Sequence, residues 1–539
     1  MTLRLKQLSI PVSDVDPDAK LRESVAITLG ISHSDILGLL IRKKSLDARR
    51  KSRLVYHYQL DIDLVDEGNL LSSHSSLLEQ VKIKDFSPYD GLEPLVAASR
   101  HRPIVVGSGP AGSFAALTLA EFGQPSIILD RGDSVPQRLR AVGRLKTKGE
   151  LDSESHYCFG EGGAGTFSDG KLTCGRNHPL VQHIFKSLVR FGAPDSILYD
   201  AHPHVGTDFL MRVAIRQREY LESVGCEYRF RSKMVGFRAG GKAAKYLVQL
   251  ESGEELPTDH LILAIGHSAR DTYESLFAAG IEMTPKPFAI GARFEHPQAE
   301  INEIQFGIQP QCILPSAEYK LASKYQDRGI WTFCMCPGGH LLPTSAEPGH
   351  LAINGMSYHA RNSGFANAAV VVNIRREDFY KGSPLDGMYF QRSLERRAYL
   401  AGGGGYHSPG QRLKDFLAGR MSQGELNSTY KPGVTPYRMD RLLPRPVVTA
   451  LQRALVEYDK KMRGYISESG LIVGLESKTS APLTMSRTRD LQSTSHPGIF
   501  PTGEGAGYAG GIVSAALDGV KVGQAVLSSL QNQVNTGAL

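Results

Sequence analysis

Paired cysteines are what this sequence most plainly lacks. It holds 6 cysteines in 539 residues, with no C-x-x-C spacing. That argues against a secreted disulfide scaffold and a zinc ribbon, and no metal site is expected. No apolar run approaches the roughly 18 residues of a membrane helix. The first ten residues alternate charged and apolar side chains without a secretory apolar core, so a soluble, cytoplasmic protein is expected. The glycines follow no G-X-Y period, which excludes collagen. There is no internal repeat and no low-complexity tract. A formal net charge of +7 is mild for this length and implies no nucleic-acid partner by itself. With 41% hydrophobic residues the chain is too apolar to be disordered. At about 150 residues per domain it should form roughly three or four domains. What it has in surplus is glycine: 56 residues, about 10% against a usual share of about 7%.

Residues 1–98 read as a small α/β module. Leu3, Leu5, Leu8 and Ile10 suggest a strand. Residues 21–29 and 35–41 read as short helices, with a cap near Ser32, His33 and Ser34. Residues 55–64 alternate as V-Y-H-Y-Q-L-D-I-D-L, a strand pattern. Between them lie Arg42, Lys43, Lys44, Arg49, Arg50, Lys51 and Arg53, with Asp47 the one acid. A solvated helix end and loop is the favoured reading; an RNA or phosphate contact is the alternative. From residue 99 the pattern becomes strand, glycine loop, helix, strand, which opens a doubly wound α/β domain. Residues 181–224 look mainly helical. Residues 228–265 look like strands with hairpin breaks at Gly240-Gly241 and Ser252-Gly253. The strand-loop-helix pattern returns near residue 498. The expected organisation is a module at 1–98, the first part of an α/β domain at 99–280, an inserted mixed α+β substrate or cap domain at 281–470, and a closing part at 471–539.

Ile104-Val105-Val106 is a buried-strand pattern that runs into Gly107-Ser108-Gly109-Pro110-Ala111-Gly112. Ala116 and Gly123 follow, then a second strand ending at Asp130, with Arg131 next. Gly107 permits the strand-to-helix turn. Gly109 lets backbone approach a pyrophosphate, and Gly112 and Ala116 let helix and strand pack closely. The helix N-terminus offers N–H groups to phosphate. Asp130 sits where a carboxylate accepts ribose hydroxyls. With strand, helix and terminal acid in register, the G-x-G-x-x-G marks a dinucleotide site. The acid favours FAD or NAD over NADP. The C-terminus favours FAD: Ile499-Phe500-Pro501-Thr502-Gly503-Glu504 is a strand pattern, followed by a glycine-rich turn with Gly510 and Gly511 and a helix from Ile512. This resembles the closing motif of glutathione-reductase-like flavoproteins. The resemblance implies a ribityl chain beside Gly503-Glu504 and a helix dipole aimed at the O2 edge of the flavin. Leu261-Ile262-Leu263-Ala264-Ile265-Gly266 resembles their middle strand, with Ile265 replacing Thr.

Phe159-Gly160-Glu161-Gly162-Gly163-Ala164-Gly165-Thr166-Phe167-Ser168-Asp169-Gly170-Lys171-Leu172 closely resembles the signature loop of an uncharacterised family of bacterial and plastid FAD-dependent dehydrogenases. His204-Val205-Gly206-Thr207-Asp208, Lys286-Pro287-Phe288-Ala289-Ile290-Gly291, Phe333-Cys334-Met335-Cys336-Pro337-Gly338-Gly339 and Asn354-Gly355-Met356-Ser357 fit the same family. The resemblance spans about residues 100–530. It implies a glutathione-reductase-like, doubly wound FAD domain with an inserted substrate domain. It also implies FAD contacts at Gly163, Gly165, Thr166, Ser168 and Lys171, backbone contacts at Met234, and contacts at Gly266 and Ile512. One departure is Lys478, where the family more often has Arg; the charge stays but the bidentate fork is lost.

Catalytic residues are less legible. Cys334 and Cys336 share a face if their strand is extended, as a redox pair would; a second thiol candidate is Cys158. His267 and His407 are candidates for acid–base work. Arg293 and Arg487 are candidates for an anionic substrate. For each, a structural role is the commoner reading. The sequence has one complete G-x-G-x-x-G, so an NADH or NADPH donor would dock without a domain of its own. The expected activity is an FAD-dependent oxidoreductase moving a hydride between flavin N5 and a small-molecule substrate. An RNA-modifying flavoenzyme and a non-catalytic redox sensor are the alternatives.

Overall fold

The apolar triplet Ile104–Val106 finds its partners far along the chain. In the computed structural model, which describes residues 2–81, 99–173, 178–242, 244–308 and 312–535, it lies at the centre of a five-stranded parallel sheet. The order is Ile499–Pro501, Leu261–Leu263, Ile104–Val106, Ile127–Leu129, Glu227–Arg229. The first four strands are buried throughout, as parallel strands covered on both faces must be. The glycine motif and the closing motif therefore meet in one sheet. Helix Pro110–Glu121 leaves the central strand and packs along helix Ile512–Asn535. Small residues set that approach: a Cβ added at Gly519 would fall 2.1 Å from the Ala111 carbonyl oxygen.

Beside this sheet, Met234–Ala239, Tyr246–Leu250 and Glu255–Thr258 form an antiparallel three-stranded sheet. The segment between residues 281 and 480 builds a seven-stranded sheet around Phe288–Pro297, a strand buried along nearly its whole length. Helix Arg445–Lys461 packs on it through Val447, Leu451, Leu455 and Tyr458. The sheet takes in Leu471–Glu476, so the expected boundary at 470 falls too early. Six consecutive buried residues there pair antiparallel with Phe288–Pro297 instead of joining the parallel sheet. The glycines at 402–405 serve this sheet: Gly403, Gly404 and Gly405 take positive φ and turn helix Asp386–Ala401 into strand Ser408–Arg412.

The N-terminal module is a four-stranded antiparallel sheet, Ile36–Asp47, Val55–Leu64, Leu3–Pro11 and Leu78–Gln80, with helix Leu21–Leu29 on one face. Residues 82–98 of the expected module lie outside the described residues. The helix expected at 35–41 is not formed. Ser32 and Asp35 close a capping box on a single 3₁₀ turn, and the chain then runs as the strand Ile36–Asp47. Two bulges, at Ile36/Gly38 and Ile41/Lys43, shift the alternation and hide the strand's period of two. The basic run accordingly starts on a strand rather than at a helix end. Arg42 bonds Asp61 at 2.5 Å, Lys44 bonds Asp18 at 2.7 Å, and Arg49 pairs with Asp47. The strand docks on the α/β domain through Lys44 N to Tyr199 O (2.8 Å) and Ala201 N to Lys44 O (2.9 Å).

Among the described residues, no helix is long and apolar enough to cross a membrane. Gly519→Val should push the two helices apart and cost about 1–3 kcal/mol, read as a lowered thermal midpoint; an unchanged midpoint would contradict this packing.

Candidate functional site

A cavity of about 1650 Å³ opens at the C-terminal ends of the parallel strands, where Val106, Leu129, Ala264 and Thr502 line it. Ordinary ligand pockets hold about 300–1,000 Å³, so this one has room for a dinucleotide and a second molecule. Two helices, Pro110–Glu121 and Ile512–Asn535, begin at its wall, with Pro110, Ala111, Ile512 and Val513 facing it. First-turn N–H groups have no intrahelical partner, so both helices offer donors and a positive dipole end here. The turns between them are rich in glycine. Gly109, Gly266, Gly510 and Gly511 line the cavity; a Cβ at the last three would meet nothing within 4 Å, and at Gly109 only Gly163 Cα at 3.7 Å. A cradle of bare backbone facing two helix N-termini fits the pyrophosphate and ring edges of FAD.

Of the residues expected to contact the cofactor, Gly107, Gly109, Pro110, Ala111, Asp130, Arg131, Gly163, Gly165, Ser168, Lys171, Met234, Gly266, Glu504, Gly510, Gly511 and Ile512 line the cavity. Gly112, Thr166 and Gly503 do not. Gly112 packs against the turn, since a Cβ there would fall 1.9 Å from Gly107 O. Thr166 Oγ1 donates to Glu161 O at 3.1 Å, inside its own loop. Gly503 N donates to Asp518 at 2.7 Å. The Ser168 hydroxyl is likewise held within the loop, by Gly165 O at 2.7 Å and Gly170 N at 3.1 Å. Lys171 pairs with Glu318 of the inserted segment at 3.1 Å, and Arg361 of that segment pairs with Asp169 at 2.8 Å. Arg131 lies between Glu154 and Asp271, over the Phe159 ring.

The loop's shape depends on a residue the sequence reading passed over. Arg138 is fully buried. Its Nε donates to His156 O (2.8 Å), Nη2 to Tyr157 O (2.9 Å) and Nη1 to Glu161 O (2.7 Å) and Gly160 O (3.3 Å). Burial pushes its pKa down to about 10, so it stays charged at neutral pH. Glu161 in turn accepts from Val135 N at 2.6 Å and from Arg218 at 2.7 Å.

His267 and Glu504, 237 positions apart by their numbers, meet in the cavity, with His267 Nδ1 and Glu504 Oε1 3.1 Å apart. His267 Nε2 is buried and has no partner. The other proposed catalytic groups are sorted by burial. Arg293 is fully buried outside the cavity, bonded to Glu476 (2.9 Å), Cys334 O (2.8 Å), Asn367 and Asn354. It is an internal tie, and no anionic substrate reaches it. Arg487 is tied to Asp518 at 2.7 Å and stacks on Tyr508, and it is not itself part of the cavity lining. His407 is exposed on the turn after Gly405 and faces away from the site. Cys334 lines the cavity; Cys336 is buried behind it. Cys158 also lines it, 3.7 Å from Lys478 Nζ, which donates to Thr344 O at 2.8 Å.

Residues 287–479 match a family model described as FAD-dependent protein, C-terminal domain-like, and residues 2–63 match a domain of unknown function. An uncharacterised protein of Clostridium beijerinckii is 41% identical over 537 residues, covering 98% of this chain and 99% of that one. The chain belongs to that protein's family. Among solved structures, the chain resembles CtdE in complex with FAD at 11% identity, over 81% of this chain and 90% of that one, with a TM-score of 0.31. A geranylgeranyl bacteriochlorophyll reductase-like protein of Thermoplasma acidophilum is 14% identical, over 81% and 80% of the two chains, with a TM-score of 0.33.

Three imidazoles around this architecture are held neutral. Burial drives His204, in the cavity wall, and His260 down to about 4, and His156 well below its ordinary value. An unfolded chain takes up protons on them near pH 6.5; the folded chain does not. Their contribution to stability is therefore complete above pH 6.5 and lost as pH falls toward about 4. His204→Asn, which cannot titrate, should flatten the fall of thermal stability over that interval; an identical pH profile would contradict the buried neutral state.

Proposed function

We propose that the cavity binds FAD and that the protein is an FAD-dependent oxidoreductase of glutathione-reductase-like build, its inserted domain covering the substrate. One observation carries this reading: two helix N-termini and a cradle of side-chain-free backbone converge on one cavity large enough for a dinucleotide and a substrate. When bound, FAD supplies hydride chemistry at N5 toward a small organic molecule, with NADH or NADPH as an external donor. The chain's own residues bind, orient and carry protons. The helices at Pro110 and Ile512 hold the pyrophosphate and the electron-rich edge of the ring. Asp130 accepts from Ser108 N (3.0 Å), Ser108 Oγ (2.5 Å) and Gly132 N (2.8 Å). A carboxylate has about four lone-pair sites, so one remains on Oδ1 for a ribose hydroxyl. Glu504 Oε1, 3.1 Å from Nδ1, orients the His267 ring and leaves Nε2 without a protein partner. His267 is the residue we assign to proton transfer.

Denatured protein should release FAD, and Gly109→Val should purify without it. Release of NAD alone, or full flavin content in the variant, would overturn the assignment. His267→Gln should keep its flavin and slow donor-driven flavin bleaching by about 10²–10⁴-fold. An unchanged rate would remove His267 from the mechanism while leaving the cofactor reading intact.

A further inference from the structure

We propose that Cys334 and Cys336 form a dithiol–disulfide couple in the cavity wall, a two-electron centre separate from the flavin. In a regular strand, residues i and i+2 lie about 6.6 Å apart, at the far end of the Cα separations a disulfide spans. This strand is not regular there. Phe333 pairs with Ala369 and Cys336 with Asn367, so Arg328–Cys336 carries one extra residue in a bulge. Cys334 takes φ +45° in that bulge. The kink folds the second cysteine back on the first: the Cys336 thiol donates to the Cys334 carbonyl at 3.3 Å.

The surroundings divide the pair into an attacking and a resolving sulfur. Cys334 is part-exposed and lines the cavity, whereas Cys336 is fully buried. The Cys336 thiol and then the Arg293 charge hold the Cys334 thiol below its ordinary range against the effect of burial, and Cys336 is pushed above its own. The Arg293 guanidinium donates to the Cys334 carbonyl at 2.8 Å and keeps its charge beside the bulge. A disulfide reaching Cys334 from the cavity is cleaved by its thiolate, forming a mixed disulfide and expelling one thiolate. Cys336 then gives up its proton and displaces the second half. One internal S–S bond has formed, and the oxidant has been reduced to two thiols. The reverse reaction reduces a disulfide substrate. Partners are thus low-molecular-weight or peptide disulfides and dithiols. This chemistry requires no flavin, so it stands or falls apart from the FAD assignment.

Full-length protein equilibrated in glutathione buffers of graded ratio, acid-quenched, alkylated with iodoacetamide and digested tests the couple. The peptide carrying both residues should lose both alkyl groups together and weigh two hydrogens less than its dithiol form, while Cys158 and Cys312 stay alkylated. Cys336→Ser should stop at a glutathione adduct on Cys334. Half-maximal alkylation of Cys334 should fall below the pH of about 8.5 usual for a free thiol. Full alkylation of both cysteines at every ratio, or a lasting glutathione adduct in the unmodified sequence, would overturn the proposal. The first readout needs no variant, so a misfolded serine mutant does not shelter it.

Discussion

A guanidinium held away from water sets the wall of the cavity. Arg138 is solvated by backbone carbonyls, those of His156, Tyr157, Gly160 and Glu161. Taking a cation out of water is costly unless every proton is met, and here the fork geometry of Arg meets successive carbonyls of one loop. The loop cannot relax without stranding that charge. Its next residues, from Gly163 to Lys171, inherit their position from it, and through Asp169 and Lys171 so does the inserted segment above. The same guanidinium lies over the Phe167 ring, 4.7 Å from the ring centroid.

Charges elsewhere follow the same logic at different depths. Arg293 with Glu476, Arg270 with Glu395 and Arg487 with Asp518 are arginines met by carboxylates distant in sequence. Each ties segments that the chain order keeps apart, and none is free for a ligand. The groups left over for chemistry are those whose partners satisfy one side only. His267 has Glu504 beside Nδ1 and no partner at Nε2, and Asp130 keeps one acceptor site.

Local signals were legible because they depend on neighbouring residues. Gly107-Ser108-Gly109 after three apolar residues, and Gly510-Gly511 before a helix, can be read without knowing what lies across from them. The strand Ile36–Asp47 was not legible because two bulges break its alternation. Arg293 and Arg487 looked like ligand groups because Glu476 and Asp518 are invisible as partners in one dimension. The meeting of His267 with Glu504 was hidden for the same reason, although both residues stood out separately. Arg138 left the weakest trace: one cation in the helix Val135–Lys148, where cations are common, distinguished only by the five buried positions that include it.

The parallel sheet is closed by the strand Ile499–Pro501, whose neighbour Leu261–Leu263 lies before the whole inserted segment. A ribosome therefore releases the last strand and the second dipole-bearing helix only after the seven-stranded sheet has all its strands. Until then the nascent chain carries a finished insert on an unfinished parallel sheet, with one edge of Leu261–Leu263 unpaired and apolar. An open edge of that kind is a template for wrong pairing. Synthesis of this protein thus leaves a long interval in which the insert can fold while the parallel sheet still lacks its closing strand.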